Sequence, residues 1–437
     1  MTKNATSRPG VLLILILITG LIATAVLIPV ARAGTIAVNT TDDEVNADGD
    51  CSLREAILSA NGDTAVDACS AGSGADVITL PPGTYVLTLG GAEEDAAQTG
   101  DLDLTGDLTL NGGGFSNTII DGNGSDRIFD VHSDIVVQMS GVNVQNGSAA
   151  SGGGVSVNGA LTLISSRVTT NTATAVGGTL TVTHSRIDGN SASGGGGVFV
   201  SFQPAVILNS EISGNSVDGG GGGVYSSGSL AIVNSTLSGN SAGSGLYVVE
   251  SNDNHLYNVT ISANMADADG DDSGDGGGVF SLGGVTAANT IIGGNLDNSP
   301  GDQHPDCSGT LVGEGYNLIA NVTGCNIAGD TTGNLLGVDP MLDPLQNNGG
   351  TTLTHALLEG SPAINAANPG GCLNHEGNLL VTDQRGFDRP ASGSNLCDIG
   401  SYEAGSSSPV TPTPTVTSSV TVTPSAEYWQ YMPAIHL

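Results

Sequence analysis

Between residues 142 and 295 an asparagine closes seven similar short segments: VNVQN at Asn146, RVTTN at Asn171, RIDGN at Asn190, EISGN at Asn215, TLSGN at Asn240, TISAN at Asn264 and IIGGN at Asn295. The intervals are 25, 19, 25, 25, 24 and 31 residues. Units this short cannot bury a core alone and must stack on their neighbours, which is the signature of a solenoid. Three residues before the asparagine stands an apolar side chain, Val168, Ile187, Ile212, Leu237, Ile261 or Ile292, while the position before that varies freely. Such alternation is a strand with one buried face. Helical periodicity and leucine-rich repeat signatures are both absent. Three short strands per coil therefore predict an all-β chain folded as a parallel β-helix, and the chirality of parallel connections makes it right-handed.

The repeated asparagine has a physical role in such a stack. Asparagine tolerates left-handed backbone geometry and can hydrogen-bond to its equivalent one coil away, forming a ladder. Glycine runs ending at Val155, Val198, Val224 and Val279 are expected at corners, where φ is often positive. The six cysteines form an even set, and proximity pairs Cys51 with Cys69, Cys307 with Cys325, and Cys372 with Cys397. No C-x-x-C occurs, which disfavours structural zinc.

A solenoid exposes apolar core at its ends and needs caps. CSLREAI, Cys51 to Ile57, supplies one. Ser52 and Glu55 form a capping box, Leu53, Ala56, Ile57 and Ala60 fall on one face, and Asn61-Gly62 is the expected stop. Arg54 and Glu55 thus read as capping rather than catalytic residues. Asp76–Leu80 and Tyr85–Leu89 would then start the stack.

The segment DGDCSLREAILSAN, followed by GDLDLTGDLTLNG and IIDGNGSDRIFDV, resembles the CSLREA domain that opens many exported bacterial β-helix proteins. DPMLDPLQNNGGTTLTHALLEGSPAIN, with TDQRGFDRP and CDIGSYE after it, is similar to the choice-of-anchor Q domain. The resemblance covers about residues 37–404. It implies a secreted or surface-displayed, adhesin-like protein with a pectin-lyase-like solenoid, and it implies no reaction. The expected organisation is a signal peptide at 1–33, a cap at 34–74, a β-helix at 75–325, an anchor-like region at 326–404, a Thr/Ser/Pro stalk at 405–426 and a tail at 427–437 with the only Trp.

Lys3 and Arg8, an apolar run from Val11 to Val30 and Ala31-Arg32-Ala33 match a secretory signal with its cleavage site. The run is also long enough to serve as an uncleaved membrane anchor. Beyond Ala33 the chain keeps six arginines and no lysine against 43 acidic residues, a formal net charge of −37. Such a surface repels nucleic acid and anionic lipid and attracts cations. Membrane contact is expected only through the signal or anchor segment, and the chain is expected to be a monomer.

Right-handed β-helices include polysaccharide lyases and hydrolases, so each polar cluster needs weighing. The outward position before each apolar one reads Val142, Arg167, Arg186, Glu211, Thr236, Thr260 and Ile291. Strand alternation adds His184 and Asp188 to the face of Arg186. Arg167, His184, Arg186, Asp188 and Glu211 would then form one polar patch, serving either as an acid–base site or as a cross-strand charge ladder. Phe199, Tyr225, Tyr247 and Phe280 follow the glycine runs and are expected to stack outward, as a sugar-binding strip or as a stabilising one. Asp267, Asp269, Asp271, Asp272 and Asp275 offer oxygen ligands for Ca²⁺, although the loop departs from the EF-hand pattern at Asp272 and Gly278. The acidic run Asp42 to Asp50 carries the same ambiguity. This reading requires no cofactor; Ca²⁺ is the one ion that the acidic loops would suit.

Three functions are compatible with these features. The leading one is a non-catalytic extracellular protein that binds a surface or polysaccharide. The alternatives are a carbohydrate-active lyase or hydrolase using the Arg167 to Glu211 patch, and a structural envelope component.

Overall fold

The computed structural model describes residues 33–407 except 92–93, 151, 173–174, 193–194, 219, 251–252 and 271–273. The expected signal segment before Ala33 and nearly all of the expected stalk and tail lie outside the described residues. Among the described residues no helix is long and apolar enough to cross a membrane.

Successive coils pair in parallel with residue-for-residue register: Arg167 opposes Arg186, Arg186 opposes Glu211 and Glu211 opposes Thr236. The strands sort into sheets of nineteen, eleven and five. The largest bends round a corner of the coil, because the long strand Val279–Ala288 pairs with both Ser244–Val248 and Asn254–Tyr257. The chain is a right-handed parallel β-helix.

Its interior is the alternation read from the repeats. Val144, Val168, Ile187, Ile212, Leu237, Ile261, Ile292 and Ile319 form one column along the axis, and none is more than 2% exposed. Burying each such side chain contributes about 1.5–3 kcal/mol.

The asparagine ladder runs through Asn171, Asn190, Asn215, Asn240, Asn264 and Asn295, all buried. Each donates its backbone N–H and its Nδ2 to Oδ1 of the next, as in Asn190 to Asn215 at 3.0 Å for both bonds. The ladder ends on Asp306, which accepts both bonds from Asn295 and another from Asn321 N at 2.7 Å. Asn146 does not belong to it. Gly147 holds that place instead, donating to Asn171 Oδ1 at 2.8 Å, because this coil runs one residue out of step with the sequence alignment.

One detail of the turn differs from expectation: the left-handed residue is the one before each ladder asparagine, Thr170, Gly189, Gly214, Gly239, Ala263 and Gly294. The glycine runs before the next strand do take positive φ at Gly152, Gly220 and Gly276, and the last glycine of each run serves close approach as well. A Cβ on Gly223 would lie 2.4 Å from Gly245 O and 2.9 Å from the Asn240 amide, and Gly154, Gly197, Gly245 and Gly278 meet the ladder in the same way.

At the N-terminal end the helix spans Leu53–Gly62, with Ser52 as N-cap and the capping box formed with Glu55. It stops at Asp63, which takes the left-handed conformation, one residue beyond the expected Asn61-Gly62. Leu53, Ala56, Ile57 and Ala60 join the same core as Ile36 and Ile78. Arg54 is fully buried, paired with Asp43 at 2.6 Å and bonded to the carbonyls of Ala97, Gly100 and Asp101. The strand Thr35–Ala37 precedes the helix and pairs with Val77–Thr79, so the stack starts ahead of its own plug. The three disulfides join Cys51 to Cys69, Cys307 to Cys325 and Cys372 to Cys397.

Candidate functional site

The polar patch assembles only in part. Arg167 grips Asp188 with Nε to Oδ1 at 2.7 Å and a second bond from its terminal nitrogen, and these bonds raise the arginine pKa. Arg186 Nε lies 3.0 Å from Glu211 Oε2. Val142 is not in this column; Asn143 opposes Arg167, for the same one-residue offset that displaces Asn146. His184 is not on this face either. It takes φ +49 in the turn before the strand, which breaks the alternation, and its Nδ1 lies 3.0 Å from Thr183 Oγ1.

Glu211 is withdrawn from the surface of the patch. The side chain has no exposed surface, and its Oε2 accepts the backbone amide of Leu353 at 2.9 Å, while Oε1 accepts Ser213 Oγ. Burial raises its pKa, and Arg186, Ser213 and the Leu353 amide pull it back.

Leu353 belongs to a long irregular segment that follows the last strand, Leu335–Leu336, and lies along the outer face of the eleven-strand sheet. Leu357, Ala363, Ala367, Cys372, Cys397 and Ile399 pack on Ile291 and Leu318. The polar outward residues of successive coils are consumed too. Thr236 Oγ1 meets Gln384 Oε1 at 2.6 Å and Ser401 Oγ at 2.9 Å, and Asn258 Nδ2 donates to Leu373 O at 2.8 Å. Gly400 takes φ +95 flat against the sheet, where a Cβ would fall 2.7 Å from Thr260 Oγ1 and 2.8 Å from Ile291 Cδ1.

The residues quoted from TDQRGFDRP and CDIGSYE hold this cover together. Arg385 is bonded to Asp383 and stacks over Phe387 and Tyr402, at 4.3 and 3.7 Å from their ring centres. Arg389 is buried against Glu403 at 3.2 Å and reaches Asn234 Oδ1 of the stack at 3.3 Å.

Between cover and stack remains a cleft of about 560 Å³, lined by Ser213, Ser238 and Ser262 on one side and Leu342 to Leu345 with His355 on the other. It contains a pair that the sequence did not reveal. Ser238 Oγ lies 2.8 Å from His355 Nε2, and His355 Nδ1 lies 2.7 Å from the carbonyl of Asp343. Burial lowers the His355 pKa, against the opposing effect of its bond to Asp343. The geometry is that of a hydroxyl beside a base held by a third group. An oxyanion site does not accompany it, since the next amide, Gly239 N, is spent on Ser262 O at 3.4 Å. The two residues are 117 apart in sequence, Ser238 in the repeat segment TLSGN and His355 in the anchor-like segment, and nothing in either segment announces the pairing.

On the nineteen-strand sheet Phe199, Tyr225, Tyr247 and Phe280 do stack, each half-buried, with ring centres 4.8, 5.4 and 4.5 Å apart. The register continues this column toward the N-terminus through positions Ala175, Ser156, Asp130 and Asp103, and toward the C-terminus to Ser308. The ring faces are turned to one another, so the column presents ring edges and the two tyrosine hydroxyls.

The expected cation set is described only in part. Asp267 is buried, Asp269 is exposed, and Asp271, like Asp272, lies outside the described residues. Asp275 gathers instead with Asp297 and His304. Its oxygens are bonded to His304 Nδ1 and Ser308 Oγ, both at 2.7 Å. Asp297 is satisfied by Ser299 and the His304 amide, and its pKa is lowered by those bonds against the opposing effect of burial.

No protein-family model matches the chain, and no characterised protein matches it in sequence. Among solved structures, the crystal structure of pectate lyase Pel9A aligns with a TM-score of 0.44 at 15% identity, covering 85% of this chain and 97% of that one. The pairing pattern described above, not this distant likeness, establishes the fold.

Proposed function

We propose that this is a non-catalytic extracellular β-helix protein that binds a surface or polysaccharide through its open nineteen-strand face, the opposite face being sealed by its own C-terminal segment. One observation carries the reading: Glu211, the carboxylate best placed for acid–base work, is wholly buried with its charge committed to Arg186, Ser213 and the Leu353 amide. A general base needs a free lone pair within reach of substrate. Three disulfides accord with an oxidising compartment, and the acidic surface favours a neutral or cationic polymer over a polyanion. In this reading the CSLREA-like end closes the first coil, the anchor-like end closes the face, and export and attachment fall to the terminal segments.

Affinity electrophoresis across neutral, cationic and anionic polysaccharides tests the proposal. Retardation by a neutral or cationic polymer, weakened by Tyr225→Ala and Tyr247→Ala and unaccompanied by cleavage products, is expected. A second reading, a carbohydrate-active hydrolase, is favoured only by the Ser238–His355 pair beside its cleft. Product release that disappears in Ser238→Ala, while the variant keeps the wild-type melting curve, would replace the first reading with this one.

A further inference from the structure

The segment ahead of the helix gathers more negative charge than its surroundings neutralise. Carboxylate oxygens of Glu44, Asp48 and Asp50 lie within 4.8 Å of one another, as do those of Asp50, Glu55 and Asp67, so Asp50 joins the two groups. Arg54, the nearest arginine in the chain, is already taken by Asp43. Glu55 is wholly buried, and each of its oxygens accepts a single backbone amide at 3.0 Å, from Asn46 and from Ser52. Independently of this crowding, Glu44 Oε1 and Asp50 Oδ1 are both shut off from solvent and receive no donor. Buried carboxylate oxygens without a donor carry the full cost of desolvation unless a cation or a proton stands beside them.

The order of these residues selects between the two. With Glu44 as the first position, EVNADGDCSLRE places Glu44, Asn46, Asp48, Asp50, Ser52 and Glu55 at positions 1, 3, 5, 7, 9 and 12, with Gly49 at 6. This is the spacing of a twelve-residue Ca²⁺ loop, including the sharp-turn glycine and the closing glutamate. Gly49 has φ +101, and Glu55 sits in the first turn of the helix that the loop enters. The loop departs from the pattern in three places: glutamate replaces aspartate at position 1, the Asp50 carbonyl already accepts Ala68 N at 3.2 Å, and Ser52 Oγ at position 9 already donates to Glu44 O and accepts the Glu55 amide. Asp67, held nearby through the Cys51–Cys69 disulfide, adds a carboxylate whose Oδ2 accepts Gly49 N at 2.8 Å.

We propose that residues 44–55, together with Asp67, form a Ca²⁺ site that fastens the N-terminal plug to the first coil. The loop ligands and the capping box share Glu55, so ion binding and helix entry stabilise each other.

Calorimetric titration of the chelator-treated mature chain with CaCl₂ alone, and separately with MgCl₂, tests this. One Ca²⁺ equivalent is expected, with a Kd of roughly 10⁻⁴–10⁻³ M as in other extracellular modules, together with a Ca²⁺-dependent rise in melting temperature. Asp48→Asn combined with Asp50→Asn should weaken binding at least about tenfold, and Asp269→Asn should leave it unchanged. If the double variant does not fold, Asp48→Asn alone serves, because that exposed side chain accepts only the Asp50 amide at 3.4 Å; a several-fold loss is then expected. Absence of Ca²⁺ binding, wild-type affinity in the folded Asp48 variants, or equal affinity for Mg²⁺ would overturn the assignment.

Discussion

The two long faces of this solenoid carry their outward residues under opposite conditions. On the eleven-strand face, Thr236, Ser238 and Thr260 are small, polar and buried, each bonded to a residue more than a hundred positions away. On the nineteen-strand face, Phe199, Tyr225, Tyr247 and Phe280 are large, half-buried and stacked on one another. The period of the repeat is the same for both. What decides the chemistry of an outward position is whether a later part of the chain lies over it, which makes polarity on a solenoid strand an unsafe sign of solvent exposure.

The largest expected effect breaks the covered face. Glu211→Ala leaves Arg186 without its carboxylate and the Leu353 amide without an acceptor, and should cost about 3–5 kcal/mol. Arg167→Ala, which removes a half-exposed pair beyond the cover, should cost under about 1 kcal/mol. Chemical denaturation of the two variants measures the contrast, and equal losses would mean that the cover contributes nothing.

Gly400→Ala comes next. Positive φ and a Cβ 2.7 Å from Thr260 Oγ1 should force the cover outward, at about 1–3 kcal/mol in the same assay. Tyr225→Ala on the open face loses two stacked neighbours and should cost about 1–2 kcal/mol, with Tyr225→Phe close to wild type. A loss from Tyr225→Phe as large as from Tyr225→Ala would assign the column's stability to the hydroxyl instead of the stack.

The smallest effect is a pH response confined to the covered face. The folded-state pKa of His355 is lowered by burial, so over the interval below its ordinary value the unfolded chain binds the proton more readily. Stability from this group is therefore complete above the ordinary histidine pKa and falls as pH drops through and below it. Thermal melts across that range should show the decline in wild type and a flatter profile in His355→Gln. Burial acts on Glu211 in the opposite sense, its raised pKa costing stability as pH rises above the ordinary glutamate value, so Glu211→Gln should remove that part of the profile.

The coil was legible in the sequence because its causes are local. An apolar residue three places before a ladder asparagine reports the same interior column in every coil from Val168 to Ile292. Registers failed where a single residue was inserted, at Asn146, and where a turn replaced a strand, at His184. The cover was not legible, since Thr236 and Gln384 meet across 148 positions with no periodicity to announce it. A signal did exist: Arg385 and Arg389 are two of only six arginines beyond Ala33, placed together beside Asp383 in a chain otherwise almost free of positive charge. So dense a charge cluster in such a chain marks a buried, paired network. The Ser238–His355 pair left no comparable trace.

Amide hydrogen exchange, resolved to single residues along 340–404, tests the central claim most directly. The account predicts that Leu353 N, bonded to Glu211, and Gly400 N, bonded to Asn289 O at 2.8 Å, exchange as slowly as the ladder amides of Asn215 and Asn240. Exchange of both amides at the rate of an exposed loop, while the ladder stays protected, would show that the face is open and would contradict the account.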